Sequence, residues 1–499
     1  MAGTGQLVDE RRTGSKGNLG IEESIGILTK SLRQLLVDGP TQIGVYDPIP
    51  LKAKHLKEAL TGLVCSPPNN RINVDVVSDP NVQPDNPGRV IYVPNPGDFN
   101  FLFCPKKRSI AKVPAGLNLV GDVSFDYGCG LESHSTMKIG GTVDCIATPE
   151  TYEGFLELIG FCFEKRLPLH ALGNGSNTVF GDVPGVVTKT GGLNRIIAVE
   201  TGGKKYDFSP FDKVTSLLDS RIKTIVDKTP EGQDIYLEVE AGIPAPSLSR
   251  QAAKLGISGL EYLCGIPGRF GGIAVMNAGT GTYMTDQILV GVKTIEKLGK
   301  LRILTLEDLK PDYKFTTLQT QYSRNMVYSV TLRVKKSDPG TVRNDTLRFL
   351  ENRKDEPGRR KGYEPGGPSC GSAWRRGGYK INGSGHEANT DDILRELGIG
   401  GWKSDAGNLV VPEFPDRRLG WIVNPEGRAT AYELLELASR IYTLCLEKRN
   451  VPLSLEIKLI GNTPSGIPLI QAYKMMIPDE NGKVEASHPD AMKRFGYSN

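Results

Sequence analysis

At 499 residues the chain is several times the size of an average domain, so more than one domain is expected. The 61 Lys and Arg against 57 Asp and Glu leave a net charge of +4, too small to argue for nucleic acid or an anionic membrane as partner. Gly (59) and Pro (33) are plentiful but follow no triplet period, which excludes collagen and favours a loop-rich globular protein.

The N-terminal segment is polar and has no apolar core of a secretory signal. Helical spacing of Ile21, Ile25, Leu28, Leu32 and Leu35 predicts an amphipathic helix over Leu19–Val37, and a shorter one is expected over Lys52–Leu63. Arg89–Val93 reads as a strand among Pro, Asn and Asp punctuators. From about residue 130 short strands and helices alternate. Strands are expected at Thr142–Ile146, Leu167–Leu172, Val186–Thr188, Ile196–Glu200, Asp234–Glu240 and Val327–Val334, with helices at Thr151–Lys165 and Ser247–Leu255. Val290–Lys297 and Leu301–Leu306 around Gly299-Lys300 read as a hairpin. A helix with Leu347 and Leu350 facing inward starts the charge-rich stretch 337–366. Helices at Thr390–Leu397 and Ala429–Arg449 and a strand at Leu455–Ile460 close the patterned region. The tail from 462, with Pro464, Pro468, Pro478 and Pro489, reads as an extended arm or part of an interface.

The eight cysteines include no CxxC pair and the five histidines are scattered, so no local seed for a zinc or iron–sulfur site exists. The cysteines are expected as small buried hydrophobes in a reducing compartment. The most apolar stretch, Phe155–Phe163, is interrupted by Glu157 and too short to span a bilayer. The expectation is a soluble, cytoplasmic protein without membrane insertion.

Two glycine-rich segments carry the chemical signal. Gly173-Asn174-Gly175-Ser176-Asn177 follows an apolar strand, and such a turn can offer backbone N–H groups to phosphate oxygens. It is neither a Rossmann fingerprint nor a Walker A loop. The second, 265–279, reads Gly-Ile-Pro-Gly-Arg-Phe-Gly-Gly-Ile-Ala-Val-Met-Asn-Ala-Gly. With six Gly or Pro in fifteen residues it is expected as a loop that brings backbone against a flat or phosphorylated ligand, anchored by Ile273–Met276. Between 351 and 380, eight Lys and Arg face four Asp and Glu, a local +4 that suits either a solvated face or an anionic ligand.

These segments resemble the MurB family, flavoenzymes that reduce UDP-N-acetylglucosamine enolpyruvate to UDP-N-acetylmuramate in peptidoglycan synthesis. The family pattern GIPGxxGGxxxMNAG is matched in full at 265–279, GGGSN appears as Gly173–Asn177, and the family's NT…IGG is echoed by Ser135–Gly141. The resemblance runs from about 133 to 461. It implies an α+β fold: a two-lobed FAD-binding domain of the vanillyl-alcohol-oxidase (PCMH) type over 131–337, then a smaller α/β substrate-binding domain over 338–461. Residues 1–130 form an N-terminal extension of unassigned role, and 462–499 a C-terminal tail.

The resemblance also implies residue roles. Ser372, in Ser369-Cys370-Gly371-Ser372, falls on the general acid; Glu456 falls on the family's C-terminal glutamate; Lys314 falls where the family's Tyr-Arg-x-Ser motif has arginine. Gly173, Asn174, Gly175, Ser176, Asn177, Gly265, Ile266, Pro267, Gly268, Gly271, Gly272, Asn277, Ala278 and Gly279 fall on the cofactor-binding segments, and Tyr313, Arg375 and Arg376 on the substrate side. The implied cofactors are FAD and NADPH as hydride donor, and the implied partner is a UDP-sugar. No histidine lies in a recognised attachment motif, so FAD is expected to be non-covalent. Three departures stand out: Lys314 for arginine, Trp374-Arg375-Arg376-Gly377 for the residues after the serine, and Leu419-Gly420 in place of a His and an Asn near 418–424. Lysine keeps the charge but lacks arginine's bidentate fork. Two other readings remain open at this stage: another FAD oxidoreductase of the same fold, and a catalytically silent scaffold.

Overall fold

The computed structural model describes residues 121–208, 213–296, 299–354, 367–375, 387–412, 419–486 and 488–497, together with Leu117, the pair 379–380 and five short strands upstream. The chain divides into two compact units, 1–115 and 116–499. In the first, Ile43–Tyr46 is the middle strand of a parallel sheet, flanked by Val74–Val77 and Arg89–Tyr92. Phe99–Cys104 and Ser109–Pro114 pair antiparallel. The strand expected near Arg89 is present; the helices expected at 19–37 and 52–63 lie outside the described residues.

The second unit begins with a four-stranded sheet in the order Val123–Gly130, Thr142–Pro149, Val183–Lys189, Leu169–Leu172. Helix Tyr152–Glu164 makes the crossover between the second strand and the edge strand. Its start is set by Thr151, whose hydroxyl accepts from Gly154 N at 3.1 Å. Phe155, Leu158, Ile159 and Cys162 form its buried stripe at helical spacing. Val123–Gly130 went unread in the sequence because its two glycines break the β-rich signature.

An antiparallel sheet follows, ordered Lys204–Asp207, Ile196–Thr201, Asp234–Glu240, Met326–Lys336, Leu289–Ile295, Leu301–Thr305. Its inward residues, among them Leu237, Val239, Val292, Val330 and Leu332, bury against helix Ala245–Leu255 and the segment 260–278. Helix Pro339–Lys354 is present, but its inward face differs from expectation. Val342 and Thr346 are buried while Leu347 is 48% exposed, so the apolar stripe sits one position earlier than the Leu347–Leu350 pair suggests.

The remaining chain packs around helix Ala431–Arg449, opened by a reciprocal capping box between Thr430 and Glu433. Its Leu434, Leu435, Leu437, Ala438 and Ile441 are buried with Trp374 and Ile422. The tail is no extended arm: helices Leu469–Met476 and His488–Arg494 bring Leu469, Ala472, Ala491 and Phe495 into the same core. Proline spacing concealed this because Pro468 and Pro489 sit at helix starts, where a missing N–H costs little. Strand Lys458–Ile460 leaves this region and pairs in parallel with Thr178–Phe180, the strand after the first glycine turn.

One buried ion pair ties the start of strand Ile196–Thr201 to the end of its neighbour Asp234–Glu240 within the antiparallel sheet. Arg195 Nε and Nη2 donate to Glu240 Oε1 at 3.1 and 2.8 Å, and its backbone N donates to Oε2 at 2.7 Å. The side chains are 11% and 0% exposed. Removing the cation strands a buried carboxylate, so Arg195→Met is expected to cost about 3–5 kcal/mol. Urea denaturation checks this: the midpoint falls with the slope unchanged, whereas a shift worth less than ~1 kcal/mol would mean a solvated pair.

Candidate active site

The first glycine turn is wedged in place from behind. Gly175 has φ +63°, and a Cβ there would lie 1.9 Å from the His134 carbonyl oxygen, so neither the conformation nor the space admits a side chain. Thr136 N donates to Gly175 O at 3.1 Å, and the Ser135 hydroxyl donates to Thr178 O at 2.8 Å. The 135–141 segment, singled out in the sequence, therefore supports the turn.

The second segment is less loop-like than its composition suggests. Phe270–Met276 is a short helix, ended by Asn277 in the left-handed region at φ 42°. Asn277 is 2% exposed; its side chain donates to Asp312 O at 3.0 Å and accepts from Asp286 N at 2.8 Å. The helix packs because Gly271 lets the backbone approach Ala241: its N–H donates to Ala241 O at 2.8 Å, and an added Cβ would sit 3.0 Å from the Ala241 Cβ. Gly272 faces the other way, and a Cβ there would meet nothing within 4 Å.

The two segments meet. Asn174 Nδ2 donates to Pro267 O at 3.1 Å, and Asn177 Nδ2 lies 3.7 Å from the Met276 sulfur. Together they form one wall of a cleft of about 2010 Å³. Gly173–Asn177, Ile266–Gly268, Gly271, Gly272, Ala278 and Gly279 all line it. Gly265 and Asn277 stand behind the lining: the first ends a 3₁₀ turn, the second ties Asp312 and Asp286 to the helix end.

The same cleft takes in Tyr313, Lys314, Ser372, Arg375 and Glu456. Ser372 ends strand Ser369–Ser372, paired with Trp421–Val423. Glu456 is held from both sides: its N–H donates to Ala373 O at 2.8 Å, and its carbonyl accepts from Asn177 Nδ2 at 3.1 Å. Lys314 Nζ donates to Gly279 O at 3.0 Å and lies 3.9 Å from Glu456 Oε1, with both side chains largely buried. Arg375 donates from its guanidinium to Tyr313 O, fixing these two residues to each other. Arg376 and the cluster Arg359, Arg360 and Lys361 lie outside the described residues.

Sequence reading missed Lys458, which lines the cleft and donates from Nζ to Gln319 Oε1. Strand periodicity places it on the face of Glu456, two positions away, and that signal was available. Lys314, Arg375 and Lys458 thus outnumber the carboxylates Glu456 and Asp312 at this end, a field that favours an anionic group. Burial, reinforced by Arg375 and opposed by Glu456, holds the Lys458 ammonium below the usual lysine range. A cation loses its charge as pH rises. Affinity of the cleft for an anionic probe such as pyrophosphate should therefore fall on the alkaline side before an ordinary lysine titrates, and Lys458→Arg should remove that fall. Calorimetric titrations across pH check this; an identical alkaline loss in the arginine variant would contradict it.

Comparison with known proteins matches residues 143–305 to an FAD binding domain family. A UDP-N-acetylenolpyruvoylglucosamine reductase of Clostridium botulinum is 28% identical over 344 residues, covering 69% of this chain and 95% of that protein. The enzyme of the same name from Moorella thermoacetica is 28% identical over 333 residues, 66% and 91% of the two chains. The crystal structure of MurB from Thermus caldophilus aligns at 25% identity with a TM-score of 0.47, covering 67% of this chain and 98% of that one. The fold is α+β, with an FAD-binding lobe of the PCMH type and an additional α/β region. Residues 143–305 thus match an FAD binding domain, and over about two thirds of its length the chain is similar to UDP-N-acetylenolpyruvoylglucosamine reductases.

Proposed function

We propose that the chain reduces UDP-N-acetylglucosamine enolpyruvate to UDP-N-acetylmuramate with non-covalent FAD and NADPH, as a cytoplasmic step of cell-wall precursor synthesis. The observation that carries this reading is the convergence of both glycine segments with Ser372, Lys314 and Glu456 on one cleft. In this reading 131–337 bind the cofactor and 338–461 the substrate, with 1–130 an extension and 462–499 a tail. Among the described residues no helix is long and apolar enough to cross a membrane.

The cleft fits the cofactor in one testable respect: at Gly272 the absent side chain leaves backbone open to the cleft, room that a Cβ would fill. Gly173–Asn177 and Ile266–Gly272 would hold the dinucleotide through backbone groups. When bound, FAD would supply the redox chemistry, a two-electron hydride transfer whose reducing equivalents come from NADPH.

The chain's own residues handle charge and proton. As hydride adds at one carbon, electron density moves toward the carbon bearing the carboxylate, and Lys314 holds that carboxylate as its negative charge grows. Glu456 fixes the Lys314 ammonium from 3.9 Å, so that the cation stays aimed at the carboxylate while its charge grows. Ser372 gives its hydroxyl proton to the carboxylate-bearing carbon, which completes the saturated lactyl ether, and regains a proton from water. A hydroxyl is a weak acid, and the cations Lys314, Lys458 and Arg375 around the cleft end favour its release of a proton.

Half-reactions measured separately test this. Ser372→Ala should leave anaerobic flavin reduction by NADPH nearly intact and slow reoxidation by the enolpyruvyl UDP-sugar by at least ~10²-fold. Equal loss in both half-reactions would count against a proton-donor role, and wild-type reduced flavin that this sugar cannot reoxidise would overturn the reductase reading.

A further inference from the structure

The pattern GIPGxxGG leaves open the position occupied here by Arg269. Its side chain lies between the two halves of the cofactor lobe. The Arg269 Cβ is 3.7 Å from where a Cβ on Gly173 would stand, and its Nη2 is 3.3 Å from the corresponding point on Gly191. Larger residues at either glycine would crowd the arginine. Nη1 donates to Gly242 O, while Nε is buried with no hydrogen-bond partner. Among the described residues no carboxylate lies within 4.0 Å of this guanidinium.

A half-buried cation answered by one carbonyl is an unbalanced charge at the cleft wall. Burial already pushes its pKa down, the direction expected of a cation with too little compensation. Arg195, in the same region, shows the contrast: it has Glu240. A planar guanidinium with unused N–H groups suits diphosphate or carboxylate oxygens, and the substrate's carboxylate is already placed at the Lys314 end, which leaves a diphosphate.

We infer that Arg269 binds the pyrophosphate of the flavin dinucleotide. The UDP-sugar also carries a diphosphate, but Gly173, Gly191, Gly242 and Arg269 all fall within the 143–305 match to an FAD binding domain, and none belongs to the Ser372–Lys314–Glu456 end. The assignment rests on the flavin-binding reading above and adds to it a side-chain anchor where the remaining contacts come from backbone.

The test is equilibrium binding of FAD, riboflavin and UDP to flavin-free full-length protein, followed by flavin fluorescence and, for UDP, calorimetry. Arg269→Ala should weaken FAD by ~10- to 100-fold, the loss of a charge-assisted hydrogen bond, and leave riboflavin and UDP within about 3-fold. Arg269→Lys should fall between, since it keeps charge without the fork. Arg269→Gln retains most of the stem's packing and should match the alanine variant if charge is what matters. Unchanged or tighter FAD binding overturns the assignment, as does equal weakening of FAD and riboflavin, which would mark the arginine as a strut for Gly242. Loss confined to UDP overturns it in favour of the substrate. A wild-type chain that binds no FAD defeats the functional reading and this assignment together, whereas normal FAD binding by wild type and Arg269→Ala alike defeats the assignment alone.

Discussion

The parallel pairing of Lys458–Ile460 with Thr178–Phe180 is the constraint on which the site depends. It joins residues 280 positions apart in sequence, and Asn177 reinforces it by donating to Glu456 O while accepting from Lys458 N. Without this stitch the first glycine turn would face a cleft that lacked Glu456 and Lys458. The backbone bonds that shape the turn also set the reach of the carboxylate, so cofactor loop and chemical end are built as one rigid piece. Gly181 shows how close the approach is: a Cβ there would lie 2.1 Å from the Asn462 carbonyl oxygen.

Charge is distributed along the cleft with a consistent logic. Arg269 stands at the glycine-turn wall, and Lys314, Lys458 and Arg375 stand around Glu456 at the far end. A dinucleotide's diphosphate at the Arg269 wall and a substrate carboxylate at the far end would each meet cations where they carry charge. Substituting lysine for the expected arginine at 314 keeps that field. The loss of bidentate geometry is offset in part by Gly279 O and Glu456, which hold the ammonium in one place.

Much of this was legible in the sequence. Period-two and period-3.6 patterns located the strands and helices between 142 and 336, because each element buries one clear face. Glycine-rich composition marked both turn segments, since close backbone approach demands glycine and leaves a readable trace, whereas Ser372, Lys314 and Glu456 were pointed to by the family resemblance alone. What stayed hidden depended on tertiary partners. The helix Phe270–Met276 forms despite two glycines because Gly271 buys contact with Ala241. The tail packs through two helices that Pro468 and Pro489 begin rather than break. Leu347 points outward because Val342 and Thr346 set the face. Asn277, read as a ligand contact, is a helix-ending strut, and Lys458 and Arg269 gain meaning from neighbours distant in sequence.

The central claim is that the bound dinucleotide and the sugar's reacting end share one cleft. The most direct measurement is a difference spectrum of the FAD-loaded chain titrated with UDP-N-acetylmuramate. A substrate-side ligand seated beside the flavin should perturb its visible absorption saturably, with one ligand per flavin, and Lys314→Met should weaken that response. A flavin whose spectrum stays unchanged while calorimetry records binding of the same sugar nucleotide would place the two ligands apart and contradict the account.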